Sequence, residues 1–158
     1  MKKMINTSFA YLIAGLVGGV FYREFTKFQG FTGFTRLSLI HPHLLVLGMI
    51  LSLIVALFFM KFDLDKNPKW NRFYITYNLG VITTTLMLLV RGLTEVLNIS
   101  LSSGMSAAIS GLAGLSHIIL TVGIMYLFTL LRNEALKKHQ YDGTWSVPHC
   151  IGVFLLSL

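Results

Sequence analysis

The chain has 158 residues, 54% hydrophobic and only 12% charged, with a net charge of +7 and a mean hydropathy of +0.72. A soluble domain carries about 25% charged residues, so the deficit excludes an ordinary water-soluble domain and points to one membrane domain. The basic residues sit at the ends of apolar runs, which reads as a topology signal and not as a nucleic-acid surface. The lone Cys150 excludes an intramolecular disulfide, a Cys-x-x-Cys-His haem attachment and a thiolate zinc site.

In chain order, four apolar runs reach the roughly 20 residues that a membrane helix needs, near 5–23, 39–60, 73–97 and 107–131. The first is long and glycine-rich and has no small-residue cleavage site, so it reads as a span and not as a cleaved signal peptide. The 24–38 connection, "EFTKFQGFTGFTRLS", is aromatic and is expected along the outer interface; the 98–106 connection, "NISLSSGMS", is polar and uncharged. The expected fold is therefore an all-α, integral-membrane four-helix bundle over residues 1–138, followed by a C-terminal tail at 139–158 that is disordered or interfacial.

Nine of the 13 Lys and Arg residues fall on one side of this layout: Lys2, Lys3, Lys61, Lys66, Lys69, Arg72, Arg132, Lys137 and Lys138. The positive-inside rule then places both termini of this multi-pass membrane protein in the cytoplasm. At 1.5 Å per residue, His43 lies roughly 27 Å above Lys61, Arg91 roughly 28 Å above Arg72, and His117 roughly 22 Å above Arg132. His41, Glu95 and Arg23 fall at roughly 30–34 Å on the same scale. The ionisable groups thus form a layer in the outer half, while the inner half offers only Tyr74, Tyr77 and Asn78.

Ionisable side chains inside a bilayer are costly and are functional candidates by default. Each has a plainer reading. Arg23 and Glu24 snorkel at a span end; Arg91 and Glu95, four apart, neutralise one another; His41 is a wet interfacial residue; and His117 hydrogen-bonds a neighbouring helix. Taken together, the layer suits a non-covalent haem b. His43 and His117 are the best-matched ligands in depth, Arg91 and Arg23 stand where propionates would point, and glycines at 15, 19, 48, 111 and 114 allow close approach. His41 and His43 lie about 200° apart on a regular helix, so only one of them serves a given iron.

The segment "TRLSLIHPHLLVLGM" resembles the His-x-His…Leu-Gly pattern of haem-copper oxidase catalytic subunits of the C-type and nitric-oxide-reductase class, and of small bacterial four-span proteins related to them. The resemblance implies that His41 and His43 serve two haems on opposite sides of one helix. It also implies a homo-oligomer, a trimer by analogy with the pseudo-threefold oxidase subunit. Further histidines for copper are absent from the spans, His139 and His149 being in the tail, so one chain does not complete a haem–copper centre. The implied work is electron transfer or the binding and turnover of O2 or NO, with quinol as one candidate redox partner and, if the protein is an enzyme, a haem-dependent oxidoreductase. Two other readings stand beside it. One is a zinc- or copper-binding or transport protein using His41, His43, His117 and Glu95; the other is a structural scaffold packed through its glycines.

Overall fold

The computed structural model describes residues 1–142, with side chains described through Lys138. Among these residues there is no strand, and four helices are long and apolar enough to cross a membrane. They are α1 (Lys2–Phe28), α2 (Arg36–Phe58), α3 (Lys69–Val96) and α4 (Ser103–Asp142). The helices overrun the expected spans at most ends, so the first connection shrinks to 29–35. The remainder of the tail, past Asp142, lies outside the described residues. Two of the helices stop at left-handed residues, Gly30 just past α1 at φ +61° and Asn98 just past α3 at φ 50°, the conformation that terminates a helix and turns the chain.

Consecutive helices run antiparallel, each packed on the next. On α1, Tyr11 lies over Gly48 of α2, Gly15 faces Leu45, and Gly19 faces His41. Leu37 of α2 lies against Gly92 of α3, where a Cβ would stand 2.5 Å from the Leu37 nitrogen. The α3–α4 seam brings backbone equally close. A Cβ on Gly80 would sit 2.5 Å from Leu120 Cα, and one on Gly123 2.7 Å from Tyr77 Cα. Helices in an apolar solvent gain no hydrophobic drive from meeting, so close backbone approach at small residues is what holds such a seam. Of the five glycines singled out in the sequence, Gly15, Gly19 and Gly48 have this role, whereas Gly111 and Gly114 have nothing within 4 Å.

Helix α4 rests on α3 and packs against neither α1 nor α2. Helices α1, α2 and α3 thus meet one another, α1 reaching α3 through Thr7–Tyr74 and Tyr11–Asn78, while α4 stands beside this group against α3. At the far end of α3 from Arg91, Phe59, Trp70, Phe73 and Tyr77 form a stack with ring centroids 4.8, 5.5 and 5.6 Å apart.

The second helix changes winding along its length. It starts as a 3-10 turn over Arg36–Leu39, capped by Thr35, whose Oγ1 accepts from the Leu37 N–H. It is α-helical over Ile40–His43 and π-helical over Leu44–Ile50, then returns to α over Leu51–Phe58. Pro42 brings no N–H to the ladder, and at the end of the π segment the Leu51 N–H donates to Val46 O, five residues back. A π segment leaves carbonyls poorly used, and in an apolar layer neighbouring side chains must take them up. Two do so: Ser8 Oγ donates to Met49 O at 3.0 Å, and the Tyr77 hydroxyl donates to Leu47 O.

Candidate functional site

The site begins with the local environment of the three histidines. His41 Nδ1 lies 2.9 Å from Gly15 O, His43 Nδ1 2.8 Å from Leu39 O, and His117 Nδ1 2.7 Å from Ala113 O. A carbonyl only accepts, so each ring must carry its proton on Nδ1 and donate it. A neutral imidazole held this way keeps its lone pair on Nε2. This second-sphere arrangement sets the tautomer of a metal-ligating histidine. The His117 bond goes to its own helix, not to a neighbour, and the side chain is exposed.

His117 lines a groove of about 280 Å³ together with Arg36, Thr84, Met87, Leu88, Arg91, Ile109, Ser110 and Ala113. Thr84 Oγ1 donates to Ser116 Oγ at 3.2 Å in the buried floor of the seam beside it. At the end toward the 29–35 connection, Arg91 also borders a second, more polar hollow of about 480 Å³, rimmed by Phe31, Phe34, Thr94, Glu95, Asn98 and Ser106. One arginine therefore forms the wall between an apolar groove and a polar vestibule.

The charges in this wall are organised around Glu95. Arg36 pairs with it through Nη1, and the Arg36 backbone N–H donates to Oε2 at 2.8 Å. Arg91 Nε lies 3.7 Å from the same carboxylate, and Arg91 Nη1 donates to Ser106 Oγ at 3.0 Å. The expectation that Arg91 and Glu95 neutralise each other is thus only half of the arrangement: Glu95 serves two guanidiniums, and the closer one is Arg36. The cluster of Arg36, Arg91 and Glu95 keeps one positive charge in excess. The carboxylate is 19% exposed, while the guanidiniums that carry the excess are more open, Arg36 at 46% and Arg91 at 30%.

Depth can be read from the packing contacts. Starting from the contact of Leu37 with Gly92, His43 lies about 9 Å further along α2, and Thr84, level with Ser116 and hence beside His117, about 12 Å along α3. The two histidines are therefore at closely similar depth, one on each side of α3. His43 does not line the groove that holds His117, and His41 turns toward α1, against Gly15 and Gly19.

Other expected members fall elsewhere. The Arg23 side chain is 80% exposed and lies 3.8 Å from its neighbour Glu24, away from the groove. Arg36, expected in a connection, is a full member. Its signal was the threonine before "RLSLI", a helix-capping residue that brings the arginine into the first turn. Among the described residues no three His, Cys, Asp or Glu side chains form a group able to hold a metal ion. His41, His43, His117 and Glu95 are not gathered into one such group, and Glu95 is engaged by Arg36 and Arg91.

Residues 1–134 match the model of a family described as protein of unknown function (DUF2871). No curated protein and no solved structure matches the chain.

Proposed function

The chain belongs to the DUF2871 family, and we propose that it is a multi-pass protein of the bacterial cytoplasmic membrane, both termini inside, that binds haem b without a covalent bond. The observation that carries this reading is the set of three Nδ1–H···O=C bonds, which leave three Nε2 lone pairs, one of them in a groove that bears excess positive charge. Charge, tautomer and space each bear on the fit. Neutral imidazoles are good ligands for haem iron. Two arginines sharing one carboxylate suit a carboxylate-bearing ligand, because the guanidinium fork binds such groups in pairs of hydrogen bonds.

Space sets a condition. A volume of about 280 Å³ is at the small end for a ligand pocket, so a macrocycle must extend beyond it into the opening between α2 and α4, which do not pack on each other. His117 lines the groove and His43 lies at similar depth on α2, which supports the reading; a flat ligand between them requires the His43 Nε2 to turn toward the opening. In this reading His117 and His43 would hold the haem iron, Arg91 and Arg36 would hold its carboxylates, and Glu95 orients both arginines. Met87, Leu88 and Ile109 would keep water from the site. His41 is left for a second acceptor on the α1 side or for packing alone. Bound there, haem b would supply one-electron transfer or the binding of O2 or NO. Quinol is a fitting electron donor, and a homo-oligomer, such as a trimer, would close the lipid-facing side of the groove.

The test is an absorption spectrum of protein purified from haem-supplied cells, oxidised and dithionite-reduced. A Soret band with sharp reduced α and β bands is expected. His117→Ala loses it, and His43→Ala loses it more completely than His41→Ala. Full haem retention in all three variants would refute the ligand assignment, and a colourless preparation that retains zinc or copper would favour metal binding instead.

A further inference from the structure

At the end of the molecule remote from the histidines, the connection between α2 and α3 folds back beside α4. Asn67 Nδ2 holds it there by donating to Glu134 Oε1 at 2.7 Å. Between the connection and α4 lies a cavity of about 350 Å³. Phe59, Met60 and Phe62 give it apolar walls, and Met60 is 77% exposed. Lys61, Lys137 and Lys138 line it as well.

Both carboxylates of the cavity are already engaged. Asp63 accepts from Lys66 at 2.6 Å, and Glu134 accepts from Lys137 at 2.9 Å. Lys61 and Lys138 have no carboxylate within ion-pair distance among the described residues. Two ammonium groups without a carboxylate partner among the described residues therefore stand over an exposed apolar floor, Lys61 Nζ lying 5.9 Å from the Phe62 ring centroid.

The position of the cavity narrows what could fill it. Helix α2 has ended at Phe58, while α4 continues through 40 residues in all. A helix of that length runs about 60 Å, twice the roughly 30 Å of hydrocarbon in a bilayer. The cavity lies where α4 leaves the level of its neighbours, at the end that carries the greater share of the basic residues. A ligand here meets apolar surface on one side and ammonium on the other.

We infer that this cavity binds an anionic phospholipid, with its phosphate on Lys61 and Lys138 and an acyl chain along Met60 and Phe59. A phosphodiester has one negative charge and acceptor oxygens only, the complement of the Lys61 and Lys138 ammonium groups. A choline lipid brings its own cation to the same place and is repelled. Basic pockets at the cytoplasmic ends of membrane helices recognise headgroups in this way. The inference rests on the membrane insertion proposed above and is independent of haem, so a colourless protein tests it equally well.

The experiment uses the full chain in mild detergent, with bound lipid counted by native mass spectrometry. Dioleoylphosphatidylglycerol, dioleoylphosphatidylcholine and glycerol 3-phosphate are titrated separately. The anionic lipid is expected to bind about fivefold or more tightly than the choline lipid, and glycerol 3-phosphate not at all. Lys61→Gln/Lys138→Gln abolishes the preference. Lys2→Gln/Arg72→Gln, which removes equal charge from the same end outside the cavity, keeps it. All four positions are exposed, and circular dichroism checks that both variants remain helical. Equal binding of the two lipids overturns the inference, as does a preference that survives in the cavity variant or vanishes in the control. Binding of glycerol 3-phosphate as tight as that of the lipid would overturn the lipid as its source.

Discussion

Around Tyr77, polar side chains complete their hydrogen bonds on neutral neighbours. Thr7 Oγ1 and the Tyr74 hydroxyl share a hydrogen bond at 2.9 Å, Tyr11 donates to Asn78 Oδ1 at 2.7 Å, and Asn78 Nδ2 donates to Tyr74 O at 2.7 Å. Lys3, the nearby cation, sits 3.7 Å over the ring of Tyr74. Around Arg91 the groups are charged or basic, and their capacity is left open: one positive charge in excess and an Nε2 lone pair on each histidine. Both halves satisfy the rule that polar groups in an apolar setting need partners. They differ in what is left over. In the Tyr77 half the hydrogen bonds join α1 to α3, and α3 to the π segment of α2, and are consumed in doing so. In the Arg91 half the remainder is what a ligand would meet.

The most severe way to break this contrast is Glu95→Gln, which keeps the shape and removes the one negative charge that Arg36 and Arg91 share. Losing one partner of a fully buried ion pair costs about 3–5 kcal/mol. Here Arg36 is 46% exposed, which lowers the expected loss to about 2 kcal/mol. Thermal unfolding in detergent reads it. The same variant should bind haem more weakly than the parent, because its two arginines lose the carboxylate that orients them. A loss below about 0.5 kcal/mol would mean that water already solvates the guanidiniums and that the two halves do not differ in kind.

Tyr77→Phe probes the other half. It removes the donor to Leu47 O and strands a carbonyl in the π segment, at an expected cost of about 1 kcal/mol. If the Tyr77 half is purely structural, the reduced haem spectrum stays unchanged. A shifted α band would show instead that the π segment sets the orientation of His43, which lies immediately before it.

Much of this was legible in the sequence, and for identifiable reasons. The four helices come from length and hydropathy, which depend on no neighbour. Arg91 and His117 stood out because a charged or titratable group within an apolar run is conspicuous whatever it touches. Arg36 did not stand out, because its role depends on where α2 begins, and that is decided by Thr35 capping a 3-10 turn and by Leu37 settling on Gly92. Gly80 and Gly123 were overlooked in favour of Gly111 and Gly114, since a glycine in a helix carries no mark of the face it presents. The π segment had only faint signals, Pro42 before it and Gly48 within it. Its cause is shared among Tyr11, Ser8 and Tyr77 on two other helices, and no local pattern encodes that.

The smallest effect is expected where the accounting of the Tyr77 half fails. Ser52 is 1% exposed, and its Oγ is the one buried side-chain polar atom without a hydrogen-bond partner among the described residues. It lies just past the π segment and sits on the same rod as Leu47 and Met49, whose carbonyls are both capped. An unmade hydrogen bond contributes nothing to lose, while its desolvation has already been suffered. Ser52→Ala should therefore leave the unfolding temperature unchanged or raise it slightly, within about 0.5 kcal/mol. Ser8→Ala, which deletes a formed bond to Met49 O, should cost about 1 kcal/mol. If the two alanine variants fall equally, Ser52 has a partner in solution. The Tyr77 half then has no loose end, and the difference in what remains between the halves becomes complete.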